Sequence, residues 1–140
     1  MSADCVFCSI VAGDIPARVV HETDTTLSFL DATPLAPGHT LVVPKAHHGR
    51  LNDLDDGLAA DVYAALQALV PRVERAVDAP ATTVAFNNGT AAGQEVSHVH
   101  GHIVPRFEGD GGAPIHVVAG DRPELSEAEL DDIAERIEEA

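Results

Sequence analysis

Basic residues are scarce in this 140-residue chain. It has eight lysines and arginines against 23 acidic residues, Lys45 is its single lysine, and the formal net charge is -15. Binding to phosphate backbones relies on lysine and arginine, so this balance argues against non-specific attraction to nucleic acid. Such acidity occurs in ordinary proteins with a solvated surface. It also suits a high-salt cytoplasm, where salt screens carboxylate repulsion. The scarcity of lysine favours this second interpretation, a halophilic protein.

Long apolar runs are also absent. No stretch approaches the roughly 20 residues that span a bilayer, and the opening MSADCVFCSI lacks the basic-then-apolar layout of a signal peptide. We therefore expect a cytoplasmic protein without membrane contact. Apolar residues make up 45% of the chain, enough for a core. The length predicts one domain over 1–140.

Cysteine is limited to Cys5 and Cys8, which form a C-x-x-C pair. In a cytoplasmic chain such a pair indicates metal binding or redox chemistry before a structural disulfide. Histidines elsewhere in the chain must decide between the two.

The hydrophobic pattern predicts strands alternating with one long helix. Apolar residues recur every three or four positions between Leu58 and Val77, which marks a helix face. Pro71 should kink this helix or end its first part. Ser126 and Glu129 form a capping box ahead of a short, acidic C-terminal helix. The predicted strands are Val19–Glu22, Thr26–Leu30, Thr40–Val43 (ended by Pro44), Thr82–Phe86 and Val96–Val104.

Three histidines alternate within the last predicted strand, as His98, His100 and His102. Residues two apart in a strand share a face, so these imidazoles should line a cleft while Val99, Gly101 and Ile103 pack on the core. The chemical uses of such a row are metal binding, proton transfer and nucleophilic attack. An accidental polar strand face is the alternative.

The run HVHGHIV resembles the signature of the histidine triad (HIT) superfamily, with Gly101 a small occupant of an apolar slot. The flanking NNGTAAGQEVS and IVPR are similar to bacterial and archaeal members, as are the upstream FLDATPLAPGHTLVVPKAH and CVFCSIVAGDIPA. The likeness covers about residues 5–107 and leaves 108–140 as a C-terminal extension. It implies an α+β HIT-like fold: an antiparallel sheet with one long helix and a short C-terminal helix. It also implies a homodimer with a continuous sheet, paired through the long helix and an edge strand.

The resemblance implies a catalytic set of His98, His100 and His102. The middle histidine of the family attacks the α-phosphate of a nucleotide and forms a nucleotidyl-histidine that water hydrolyses. By position that nucleophile is His100. His102 would hydrogen-bond the phosphate or its bridging atom and stabilise the transition state.

Substrate contacts also follow from the resemblance. Asp31 would accept hydrogen bonds from the ribose hydroxyls, and the glycines Gly89 and Gly93 would let the backbone approach the phosphate. Glu95 stands where many eukaryotic relatives carry a phosphate-contacting serine, so either its amide serves or its side chain points away. The remaining implied contacts are Asn87 and Gln94 for the phosphate and leaving group, and Phe7, Ile10, Ile15 and Phe29 for the base pocket.

The resemblance further implies structural zinc bound by Cys5, Cys8, His47 and His98. Two thiolates and two imidazoles suit tetrahedral zinc, and four protein ligands make a closed site. His48 competes with His47, which the P-K-A-H context favours. We expect His39 to be a structural hydrogen-bonding residue, and His21 and His116 to be surface residues.

The leading function is hydrolysis of purine nucleotide phosphoramidates, compounds that join AMP to an amine. One alternative is hydrolysis of diadenosine polyphosphates. Another is a nucleotide-binding or zinc-stabilised regulatory protein with little turnover, against which the complete triad argues. A redox-active C-x-x-C is the last, and the presence of His47 and His98 argues against it.

Overall fold

A computed structural model describes residues 4–140, which divide into two compact units at residues 110 and 111. The first three residues of the predicted domain lie outside the described part. The first unit is a five-stranded antiparallel sheet with the long helix packed on it. The strands follow the order β1-β2-β3-β5-β4 and are β1 (Val19–Glu22), β2 (Thr26–Leu30), β3 (Thr40–Pro44), β4 (Ala81–Ala85) and β5 (Gly101–Arg106).

The long helix, α2 (Asp56–Val77), has the predicted buried face. Asp55 caps its start by accepting a hydrogen bond from the backbone amide of Leu58. The helix continues through Pro71, so the prediction that this proline ends its first part was wrong. Pro71 and Gln67 both lie on the exposed face, where the Gln67 carbonyl group that proline leaves without a donor is accessible to solvent. The buried side chains of α2 are Val62, Ala65, Leu66, Leu69 and Val73.

A short N-terminal helix, α1 (Val6–Val11), was not predicted. Sγ of Cys5 caps it by accepting a hydrogen bond from the backbone amide of Cys8 at 3.4 Å. Phe7 and Cys8 belong to a core cluster that is separate from the one formed by α2. Its other members include Leu27, Phe29, Leu41 and Val43. This packing places both cysteines against the end of β3 and beside the histidines.

The predicted strand Val96–Val104 was wrong at its start, because β5 begins only at Gly101. Gly101 pairs with Val42, and extending the ladder would place Val99 opposite Pro44, which has no backbone N–H to donate. The amide of Val99 instead donates to the carbonyl of His48 at 2.8 Å. His98 and His100 therefore lie in the connection before the strand, and His102 lies within it.

The second unit, residues 111–140, contains the helix α3 (Glu127–Glu139). Ser126 and Glu129 form the predicted capping box, each bonding the backbone amide of the other. Residues 4–140 contain no helix that combines the length and apolar character required to cross a membrane.

Candidate functional site

His100 and His102 open into a cavity of about 610 Å³ in the first unit. Its walls come from α1, the end of β2 with the following loop, and the glycine-bearing loop before the triad. The volume lies in the range of small-molecule sites. The residues that line it are Val6, Phe7, Pro16, Ala17, Arg18, Phe29, Leu30, Asp31, Ala32, Thr33, Leu35, His39, Leu41, Asn87, Gly93, Glu95, Val96, His100 and His102.

The His100 ring is held with one nitrogen free. Its Nδ1 lies 2.8 Å from the carbonyl oxygen of His98, and a carbonyl only accepts, so Nδ1 carries the hydrogen. Burial lowers the pKa of His100 below its ordinary value, although the bond to His98 and the charge of Asp31 oppose that effect. The ring is therefore neutral at pH 7, with the lone pair on Nε2. An imidazole in this state is a nucleophile.

His102 lies beside His100, with ring centroids 4.9 Å apart. Burial, followed by the neighbouring His100 and His39, lowers the pKa of His102 to about 4. His102 is thus also neutral near pH 7. Its Nδ1 lies 3.0 Å from Nε2 of His39. His39 is the hydrogen-bonding residue that was predicted, but its partner 63 positions away could not be read from the local pattern.

The side chain of His98 turns away from the cavity, contrary to the expectation that all three imidazoles line one cleft. It is fully buried, and its Nε2 donates to the carbonyl oxygen of Pro44 at 2.8 Å. Its Nδ1 consequently carries a lone pair and faces the two cysteines. His98 contacts the cavity residue Phe7 by ring packing but does not line the cavity.

Cys5, Cys8, His47 and His98 bring one ligand atom each within 4.8 Å of one another. Nδ1 of His98 lies 3.4 Å from Sγ of Cys5, 3.6 Å from Sγ of Cys8 and 3.2 Å from Nδ1 of His47. Tetrahedral zinc with ordinary bond lengths separates such ligand atoms by roughly 3.3–3.6 Å. Burial raises the pKa of the Cys5 thiol, so a buried thiolate there needs a compensating cation. The residues therefore fit zinc, and His48 is not part of the cluster.

The loop before the triad is shaped by two glycines and one amide. Gly89 and Gly93 have φ angles of 103° and 96°, which favour glycine. Oε1 of Gln94 accepts from the amide of Gly89, while its Nε2 donates to the carbonyls of Gly49 and Val96. The side-chain amide of Gln94 is thus hydrogen-bonded to backbone groups at both ends. Gln94 does not line the cavity, although a contact with substrate was predicted for it. Asn87 and Gly93 do line it.

Only part of the predicted base pocket reaches the cavity. Phe7 and Phe29 line it and contact each other edge to face, with centroids 5.6 Å apart. Ile10 packs against the core cluster and Ile15 is 39% exposed, and neither lines the cavity. Ile10 is directed to the core by α1, whereas Ile15 lies beyond the end of that helix.

The polar end of the cavity contains Asp31. Its Oδ1 accepts hydrogen bonds from the amide and hydroxyl of Thr33, while Oδ2 lies 3.7 Å from Nδ1 of His39. Glu95 and Arg18 also line the cavity, and both are exposed. Arg18, Leu35 and Val96 were not predicted, because nothing in their local sequence distinguishes them from ordinary loop and strand residues.

Comparison with known proteins agrees with this arrangement. Residues 12–109 match the HIT domain. An uncharacterised HIT-like protein of Methanocaldococcus jannaschii is 45% identical over 107 residues, covering 76% of this chain and 82% of the relative. The adenosine 5'-monophosphoramidase of Schizosaccharomyces pombe is 43% identical over 102 residues, covering 73% of this chain and 74% of the relative.

Solved structures agree over nearly the whole length. A Streptococcus mutans protein has a TM-score of 0.90 and 35% identity, covering 99% of this chain and 86% of its own. A zinc-bound histidine triad family protein of Mycobacterium smegmatis has a TM-score of 0.75 and 34% identity, covering 97% of this chain and 96% of its own. The fold is therefore the expected α+β arrangement, and the chain belongs to the HIT family.

Proposed function

We propose that this chain is a hydrolase of purine nucleotide conjugates, with AMP phosphoramidates as its substrate class and His100 as the nucleophile. One observation carries this proposal. The bond from Nδ1 of His100 to the carbonyl of His98 leaves Nε2 as a bare lone pair beside a nucleotide-sized cavity. The name of the S. pombe relative, a monophosphoramidase, supports the substrate class.

The reaction has two displacements at phosphorus. Nε2 of His100 attacks the α-phosphorus, the P–N bond to the amine breaks, and the departing amine takes up a proton. Water then attacks the phosphorus of the nucleotidyl-histidine, the P–Nε2 bond breaks, and AMP is released as His100 returns to its neutral form. The proton that the water loses replaces the one that the amine took up. Two successive inversions retain the configuration at phosphorus.

Binding is assigned to the residues that surround the cavity. Asp31 accepts hydrogen bonds from the ribose hydroxyls through the oxygen that Thr33 leaves unused. Asn87 and the backbone at Gly93 hold the phosphate, while Phe7 and Phe29 contact the base. His102 supplies a polar contact to the phosphoryl group or its bridging atom. Gln94 acts on the phosphate only through the loop it holds together.

Zinc is the metal ion that we propose is bound by Cys5, Cys8, His47 and His98. When bound, it supplies a closed structural link between α1 and the segment before the nucleophile. The separations among the ligand atoms support this assignment, as does the zinc-bound state of the M. smegmatis structure.

We also propose a homodimer through α2 and the edge strand β4. Tyr63 on α2 is 52% exposed, Val84 on β4 is 44% exposed, and the ring of Tyr63 lies 5.8 Å from that of Phe86. An apolar patch beside an unpaired strand edge suits a second copy. Sedimentation of the wild type and of Val84→Lys tests this. A dimer that the variant dissociates supports it, and a monomeric wild type contradicts it.

A panel of AMP-amine, dinucleotide polyphosphate and nucleotide-sugar substrates tests the function. We expect AMP to be released from the amidates with a kcat/KM well above that for dinucleotides. Faster cleavage of diadenosine polyphosphates would replace the proposed substrate class. Tight binding of AMP without turnover of any compound would indicate a nucleotide-binding protein.

A further inference from the structure

We propose that His39 is a positioning residue that sets the tautomer of His102, so that His102 presents an N–H group to the departing amine. The proposal rests on the proposed function for the identity of the reaction. Two successive hydrogen bonds carry the argument. The first joins the backbone amide of Leu35 to Nδ1 of His39, and the second joins Nε2 of His39 to Nδ1 of His102, which leaves Nε2 of His102 for the substrate.

The backbone amide of Leu35 determines the donor and the acceptor in both hydrogen bonds. The backbone amide of Leu35 lies 3.1 Å from Nδ1 of His39, and an amide N–H can only donate, so Nδ1 of His39 is an acceptor. A neutral imidazole then carries its hydrogen on Nε2. That nitrogen lies 3.0 Å from Nδ1 of His102, which must accept. The remaining hydrogen of His102 is therefore on Nε2.

Both rings are in the neutral state that this reasoning requires. His39 is 2% exposed, and burial lowers its pKa as it lowers that of His102. The carboxylate of Asp31 faces His39, but its 3.7 Å separation from Nδ1 is too long for a hydrogen bond. Asp31 therefore does not compete with Leu35 for that nitrogen.

The end of this arrangement is a donor without a partner. Nε2 of His102 is buried and has no hydrogen-bond partner among the described residues 4–140. An unpaired buried donor destabilises a fold, so such a group in the wall of a cavity is a candidate for contact with substrate. The His102 ring adjoins the nucleophile His100, with the centroids 4.9 Å apart. Both rings can thus contact one phosphoryl group.

The chemistry of the first displacement gives this donor a use. When Nε2 of His100 bonds to phosphorus, the electrons of the P–N bond move to the departing nitrogen. An alkylamine nitrogen must gain a proton to leave, and N–H of His102 provides it. His102 is then an imidazolate, which accepts the N–H of His39 at Nδ1. The water that attacks phosphorus in the second displacement returns a proton to Nε2 of His102. A 4-nitrophenolate leaves without a proton. The opposite tautomer of His102 would offer a lone pair to the leaving group and repel it.

A leaving-group series in wild type, His39→Leu and His39→Gln tests the proposal. AMP amidates of alkylamines, amidates of arylamines and AMP 4-nitrophenyl ester differ in their need for a proton. We expect His39→Leu to lower kcat/KM for alkylamidates by about 10²-fold, a general-acid effect, and to lower it much less for the ester. His39→Gln should recover part of the loss, because its amide Nε2 can donate to Nδ1 of His102.

The tautomer itself is measured by ¹⁵N NMR of histidine-labelled wild type, which needs no variant to fold. We expect the hydrogen of His102 on Nε2 in wild type and a mixture of tautomers in His39→Leu. A hydrogen on Nδ1 in wild type would overturn the proposal, as would an equal loss across the whole leaving-group series. A wild type that cleaves no member of the series would instead refute the proposed function, while the tautomer measurement still decides the arrangement of His39 and His102.

Discussion

The carbonyl oxygen of His98 lies 2.8 Å from Nδ1 of His100. The same His98 places its own ring in the cluster with Cys5 and Cys8. One residue thus joins the two sites, since its side chain belongs to the metal-ligand set while its backbone fixes the tautomer of the nucleophile. Loss of the cluster should therefore first affect stability and then the alignment of His100.

The cluster predicts one tightly bound zinc per chain in protein purified under reducing conditions. Cys8→Ala should lower the Tm by about 10 °C or more, since each kcal/mol is worth a few degrees in a chain of this size. The variant's kcat per folded molecule should fall less steeply. Ser9→Ala, on the same helix but outside the cluster, is the control. Elemental analysis and melting curves check this, and metal-free wild type with the Tm of the zinc-loaded form would contradict it.

The carboxylate of Glu95 should weaken phosphate binding, because it lines the cavity as an exposed anion. We expect Glu95→Gln to lower the KM for AMP amidates by about 2–5-fold at low salt, the range of a screened surface interaction. The difference should shrink at about 1 M KCl. Glu108→Gln, which removes an exposed carboxylate that does not line the cavity, should leave KM unchanged. A higher KM in Glu95→Gln would show that the carboxylate assists binding.

The glycine within the triad run has a packing reason. A Cβ atom at Gly101 would lie 2.9 Å from Cζ of Phe86 and 3.2 Å from both Cδ atoms of Leu66. Gly101→Ala should therefore cost about 1–3 kcal/mol of unfolding free energy, as overpacked cores do. Gly57→Ala in the first turn of α2, where the nearest atom is 3.5 Å away, should be neutral or stabilising. Denaturant unfolding of both variants compares them, and equal stability would contradict the packing account.

The sequence predicted elements whose pattern is local and missed relations that depend on distant partners. The bounds of β1 and β2 and the buried face of α2 were correct, because alternation and helical spacing determine them. The start of β5 was wrong because it depends on Pro44 in another strand. The cluster residues could be named from family motifs alone. The bond between His39 and His102 could not, since it joins segments that only the sheet brings together.

Salt should stabilise this chain. Nine of the 23 acidic residues lie within 111–140, where the structure leaves them exposed. The Debye length falls from roughly 30 Å at about 0.01 M salt to about 3 Å at 1 M, so carboxylate repulsion is screened only at high salt. We expect the Tm to rise steeply from about 0.05 M to about 3 M KCl at constant zinc content. A flat curve would indicate an ordinary acidic protein and leave the enzymatic proposal untouched.

The nucleotidyl-histidine is tested most directly by trapping it. Wild-type enzyme is mixed with an AMP phosphoramidate, quenched in alkaline denaturant within the first turnover and digested, and the peptide with His98, His100 and His102 is fragmented by mass spectrometry. The account predicts AMP on His100, a burst of released amine matching the adduct, and neither in His100→Ala, which should fold, bind AMP and lose about 10⁴-fold or more of its kcat. An adduct on His102, or full turnover by His100→Ala, would contradict it.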